Sequence, residues 1–223
     1  MRHLLPPSLL ALATALAVVL GGCGSGSSTT TETVPVACRR VPAPEPRGEP
    51  RRRKSTALLS AQVRWTATVV TNCGTFEITL DARDSPRTTG SFATLARAGF
   101  YNGLDFHRIA RDFVIQGGDP LGNGIGGPGY TIAEAPPRGT RYLHGTVAMA
   151  KTATDPDGTS GSQFFIVTGE DAKLPPQYAL LGQVTAGIDV VDAINDQPLE
   201  TGDPQGSAPV SPIVIERITI SRS

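Results

Sequence analysis

Polar and β-branched residues alternate over residues 64–71, and after Asn72-Cys73-Gly74 a second run covers 75–80. Side chains on a strand point to opposite faces in turn, so this pattern predicts a β-hairpin. Ser85-Pro86 then opens a helix, with Ser85 as N-cap and proline at the first helical position. Phe92, Leu95 and Ala96 share one helical face, and Gly99 supplies the stop. Further strands are expected at 106–109, 113–116, 146–150, 163–168 and 180–184, with a closing strand at 213–220. Apolar positions 188, 190, 191 and 194 give a second, short amphipathic helix. The class is all-β with two helices. Pattern alone allows a closed barrel, which removes exposed edges, or an open α+β sheet.

The first 22 residues do not belong to this pattern. Arg2, an apolar run over residues 4–20 broken by Pro6 and Pro7, and then Leu20-Gly21-Gly22-Cys23 read as a lipoprotein signal peptide. The run is marginal for a spanning helix. In this reading the leader is cut before Cys23, which carries lipid and anchors the protein, outside the cytoplasm, to a bacterial cell membrane. Residues 23–61 read as a tether, first Gly/Ser/Thr-rich and then punctuated by proline, ending in Arg51-Arg52-Arg53-Lys54. Residues 62–223 form the folded domain. In an oxidising compartment Cys38 and Cys73 can pair and staple the tether to the first hairpin; two buried thiols are the alternative.

Composition adds one restriction. The chain has 223 residues, 39% hydrophobic and 18% charged, enough for one good core, and its 25 Gly and 19 Pro suit turns and short strands. The neutral total conceals an uneven distribution: residues 62–223 hold 12 basic and 17 acidic side chains, whereas 24–61 hold 7 and 3. An acidic domain argues against nucleic acid as a partner. Gly122–Gly127 satisfies a dinucleotide-loop pattern, but Pro128-Gly129 follows where a helix would have to start. With only His107 and His144 in the domain, no metal or cofactor site is expected.

Two blocks carry the chemistry: FHRIARDFVIQGGD at 106–119 and GTVAMAKTATDPDGTSGSQFFIVTG at 145–169. Together they resemble the cyclophilin family of peptidyl-prolyl cis-trans isomerases, over about residues 65–220. The resemblance implies a closed eight-stranded antiparallel barrel capped by two α-helices, a monomer, and proline-containing segments of exported polypeptides as substrates. An X–Pro bond resists rotation by roughly 18–20 kcal/mol through amide resonance. A catalyst needs no nucleophile, only a cation that favours the twisted amide and a dry pocket gripping the proline ring.

The resemblance assigns those parts. Arg108 matches the catalytic arginine, with Phe113 and Gln116 beside it. Phe113, Met149, Phe165 and Leu174 match the proline pocket, and Val114 stands where many relatives have methionine. Gln163 lines the groove, and the backbone at Ala150 and Lys151 would pair with extended peptide. Gln116 lies at an odd offset from Phe113, so a twist or bulge before Gly117-Gly118 is expected to bring them together. Tyr178 replaces a common pocket histidine, and Lys173 replaces a tryptophan that grips cyclosporin, so weak cyclosporin binding is expected. A proline-peptide binding module with little turnover is the alternative function.

Overall fold

The protein is described by a computed structural model covering residues 37–48, 51–203 and 205–223. The predicted hairpin is present as β1 (Trp65–Thr71) and β2 (Gly74–Leu80), turned by Asn72 and Cys73. The Thr71 hydroxyl accepts from the Cys73 amide and donates to the Gly74 carbonyl, so the turn satisfies its own polar groups.

Helix α1 (Pro86–Arg97) starts and stops where the sequence places it. Its end is a Schellman motif: Gly99, at φ +67°, donates to Ala96, and Phe100 donates to Leu95. Its start differs from expectation. Ser85 occupies the N-cap, but its hydroxyl makes no hydrogen bond. The Glu134 carboxylate takes the role instead, accepting from the amides of Arg87 (3.1 Å) and Thr88 (2.7 Å). An anion suits the positive end of a helix.

The remaining strands are β3 (Leu104–Asp105), β4 (Arg108–Ala110), β5 (Val114–Gly117), β6 (Ile132–Ala133), β7 (Thr146–Met149), β8 (Thr159–Ser160), β9 (Phe164–Val167), β10 (Leu180–Ala186) and β11 (Val214–Arg222). Helix α2 (Ile188–Asn195) lies between β10 and β11. One curled antiparallel sheet runs β3-β11-β1-β2-β10-β7-β9-β5-β4, and β6 pairs with β8 separately. The closed eight-stranded barrel is thus more specific than the ladders, which give a curled sheet counted as nine strands. Among the described residues no ladder joins its edges, β3 and β4. The cause is local: one chain segment leaves β11, passes Phe106 and His107, and then pairs with β5, so it counts as two strands.

Alternation sorts the side chains. Ala67, Val69, Phe76, Ile78, Ile109, Ile115, Val147, Met149, Phe164 and Ile166 point into the main core, all at 1% exposure or less. Phe92 and Leu95 from α1 and Val191 and Ile194 from α2 complete it. Phe164 is central: the rings of Phe92, Tyr101 and Phe106 each stand 5.9 Å from its own, edge to face.

The described part of the tether expected over 23–61 is more than a spacer. Its described residues carry no helix or strand, yet they are fastened to the domain. Cys38 is joined to Cys73 by a disulfide. The amides of Arg39, Arg47, Arg52 and Leu59 donate to the carbonyls of Asn72, Pro120, Pro128 and Pro86, and Leu59 is buried. Proline stiffens this stretch, so seating it costs little conformational entropy. The lipidation residue Cys23 lies outside the described residues. Among those described, no helix is long and apolar enough to cross a membrane.

Candidate active site

The register of the sheet builds one row across four strands. Arg108 in β4 faces Gln116 in β5, Gln116 faces Phe165 in β9, and Phe165 faces Ala148 in β7. The row is on the outer face, opposite Ile109, Ile115 and Phe164. Two positions along each strand the same face presents Ala110, Val114 and Val167. These residues form a second, smaller apolar cluster with Tyr142, against which Phe113, Ala150, Leu174 and Tyr178 pack. Between them lies a cavity of about 170 Å³ lined by Arg108, Phe113, Val114, Gln116, Ala150, Lys151, Phe165, Leu174 and Tyr178.

Arg108 is half-buried at the rim of this cavity. Its Nη1 donates to Gln116 Oε1 (3.0 Å) and its Nε to the Gln205 carbonyl (2.7 Å). Among the described residues Nη2 has no protein acceptor. Burial lowers the guanidinium's pKa, against the opposing effect of Asp203 and Tyr178, but arginine remains charged at any working pH. Gln116 passes the contact on: its Nε2 donates to Gln163 Oε1 (2.9 Å), and Gln163 Nε2 donates to the Gly126 carbonyl (2.9 Å).

Phe113 reaches the cavity without the bulge expected before Gly117-Gly118. It sits in the turn that precedes β5, where Asp112 adopts φ +53° and the Phe113 amide returns to the Ala110 carbonyl. The parity change is made in the turn, and Val114 and Gln116 then share a face by ordinary alternation. Met149 is a correction of the opposite kind. It faces Phe164 in the main core at 1% exposure and does not line the cavity, because the strand turns Ala148 outward and Met149 inward. Gln163 lines an adjoining groove of about 690 Å³, which shares Gln116, Ala150 and Lys151 with the cavity. Past β7, no hydrogen bond within the described residues uses the Lys151 amide. The Lys151 ammonium donates to the carbonyls of Thr152 and Asp155 and lies 5.5 Å from the centre of the Tyr178 ring. Lys173 is exposed, with φ +51°.

One residue absent from the sequence reading holds the far wall. Tyr142 is fully buried; its hydroxyl donates to the Tyr178 carbonyl (2.7 Å) and accepts from the Tyr178 amide (3.0 Å). Burial pushes that hydroxyl's pKa up to about 12. The Tyr178 ring then stands edge-on to Phe165, 5.4 Å between centres. The only sequence signal was a large aromatic just ahead of a strand. Among the described residues no group of three His, Cys, Asp or Glu side chains could hold a metal ion.

The sequence matches the family described as Cyclophilin type peptidyl-prolyl cis-trans isomerase/CLD over residues 66–220. This chain is a cyclophilin. A peptidyl-prolyl cis-trans isomerase of Helicobacter pylori is 40% identical over 131 residues, 57% of this cyclophilin and 78% of that protein. Peptidyl-prolyl cis-trans isomerase B of Streptomyces anulatus is 37% identical over 173 residues, covering 69% and 95% respectively. A crystal structure of a Cryptosporidium parvum cyclophilin type peptidyl-prolyl cis-trans isomerase, in the presence of dipeptide ala-pro, superimposes with TM-score 0.63 at 30% identity. It covers 70% of this cyclophilin and 98% of its own chain. The protein is thus a peptidyl-prolyl cis-trans isomerase.

Proposed function

We propose that the cavity beside Arg108 receives the proline ring of exported polypeptides and that Arg108 lowers the barrier to rotation about the preceding peptide bond. The observation that carries this reading is a half-buried, still charged guanidinium at the rim of an apolar cavity, held by Gln116 and Gln205 and with no acceptor for its third nitrogen among the described residues. In the planar amide the nitrogen lone pair is delocalised and offers a donor little. In the twisted amide it is localised, and a nearby cation stabilises it. Held in advance in a half-dry site, that donor does not reorganise during rotation.

Phe113, Val114, Phe165, Leu174 and Tyr178 grip the ring. Gln116 orients both the guanidinium and the peptide backbone, with Gln163 beside it, and the Lys151 amide and Ala150 carbonyl pair with extended chain. The reading includes a sheet closed into a barrel, since its two edge strands are consecutive in the chain with only Phe106 and His107 between them. It also includes lipid on Cys23, an extracytoplasmic position at the bacterial cell membrane, and a monomer that needs no cofactor. Cyclosporin binds weakly, because an exposed Lys173 stands where relatives offer an indole; nanomolar binding would contradict this. Fatty-acid labelling should tag the export form and spare Cys23→Ala.

The test follows cis/trans exchange of an Ala-Pro peptide with the full chain and with Arg108→Ala. Loss of one preorganised donor should cost about 10²–10³ in rate. Equal rates would leave the site a proline-peptide binding module with little turnover.

A further inference from the structure

The catalytic row does not end at Gln163. Its amide nitrogen is anchored on the Gly126 carbonyl, within the glycine-rich loop that the sequence had excluded as a nucleotide site. That loop is shaped from within by the Asp119 carboxylate, which accepts from the amides of Leu121, Asn123 and Gly124. Gly126 is required there, because a Cβ would collide with Asp119 Oδ1 and Leu121. From outside, the loop is pinned on both flanks of Gly126 by a segment distant in sequence. The Arg47 amide donates to the Pro120 carbonyl and the Arg52 amide to the Pro128 carbonyl, both at 2.9 Å.

The pinning segment is itself secured. Cys38 is stapled to the hairpin turn at Cys73, and Asn72 Nδ2 donates to the Arg39 carbonyl (2.6 Å). The Arg47 guanidinium donates to the Asn102 carbonyl. Farther on, the Ser55 and Thr94 hydroxyls bond (3.0 Å) and Leu59 is buried against the domain. A segment that served only as a spacer would need none of these attachments.

We propose that the described residues 38–48 and 51–52 act as a strap that positions the catalytic arginine. By fixing the loop at Pro120 and Pro128 the strap fixes the Gly126 carbonyl, which orients Gln163, which orients Gln116, which holds Arg108. The strap residues touch neither substrate nor reacting atoms; they are positioning residues, and Cys38–Cys73 sets the strap's register. The proposal rests on Arg108 being the catalytic cation.

The full chain is compared with Arg52→Pro, which removes one pinning amide, and with Cys38→Ser/Cys73→Ser, which frees the strap's end and keeps its length. Each is made with and without Gln163→Ala, and circular dichroism melts establish folding. We expect kcat to fall about three- to tenfold with KM changed by less than about twofold, within the coupling range of one hydrogen-bonded network. In the Gln163→Ala background the strap variants should add nothing further. An unchanged kcat in folded strap variants overturns the proposal, as does a full additional loss on top of Gln163→Ala. If Arg52→Pro fails to fold, Arg47→Pro, which removes the other pinning amide, carries the same comparison. Arg108→Ala, run in parallel, separates the two claims: its inactivity alongside fully active strap variants removes the strap and leaves the catalytic reading intact.

Discussion

Phe164 and Phe165 are neighbours on β9 and have opposite surroundings. Phe164 points inward, where Phe92, Tyr101 and Phe106 enclose its ring. Phe165 points outward to Tyr142 and Tyr178, whose packing leaves a cavity of about 170 Å³. Both rings are almost fully buried, at 0% and 4% exposure. The inner face is closed by the protein's own helices; the outer face is an apolar cluster with one place unfilled and a cation at its edge. The pocket is built as a core is built, and in the proposed function a proline ring completes it.

The sharpest way to break this comparison is to truncate the two rings separately. Phe164→Ala should lower stability by about 3–5 kcal/mol, the usual cost of emptying a packed aromatic site. Phe165→Ala should cost clearly less, since its cavity is already open, yet reduce kcat/KM far more per kcal/mol of stability lost. Denaturant melts and peptide exchange on both variants decide this; equal stability losses would merge the two faces into one core.

A smaller effect probes the β3 edge, where Asp105 lies close to Asp119 and the strap residues Pro44, Glu45 and Pro46. Burial pushes the Asp105 carboxyl up to about 6 from 3.8, helped by the Asp119 charge and opposed by a backbone hydrogen bond. The folded form therefore holds its proton more tightly than the unfolded form. Its contribution to stability is present below about pH 4 and lost as pH rises through about 6, at most about 3 kcal/mol. His107 acts in reverse: burial lowers its pKa, so its neutral folded form loses stability as pH falls through 6.5. Asp105→Asn isolates the carboxyl. Its melting temperature relative to the native chain should rise between pH 4 and pH 7, and a flat difference would contradict the burial.

The smallest expected effect sharpens the outer face. Tyr142→Phe removes the hydroxyl that bonds both backbone groups of Tyr178, which should cost about 1–2 kcal/mol through the polar groups left unpaired. Because Tyr178 walls the cavity, KM for a proline peptide should rise while kcat changes little. An unchanged KM would detach Tyr142 from the pocket.

Much of this was legible in the sequence, for physical reasons. Period-two alternation exposed the first hairpin, and Gly99 its helix stop, because both are local. Arg108, Gln116 and Phe165 were placed by motif, and the strand register sets them side by side. Met149 was misplaced because a motif match says which residues are near a pocket, whereas strand parity decides which face they take. Glu134 escaped notice as the cap of α1 because it comes from another loop, and Ser85 offered a closer candidate. The strap was read as a tether because it is held mainly by backbone amides and carbonyls, which every residue carries and no side-chain pattern reports. The strands β3, β6 and β8 are two residues long, too short for a period to register.

The claim at the centre is that charge on Arg108, and not merely a grip on proline, speeds rotation. Arg108→Gln keeps a side-chain donor of reduced length and removes the charge. NMR exchange spectroscopy on an Ala-Pro peptide reads the affinity and the on-enzyme cis/trans rate from the same sample. The account predicts an exchange rate lower by about 10²-fold with affinity altered only a few fold. Native exchange in the uncharged variant would contradict it.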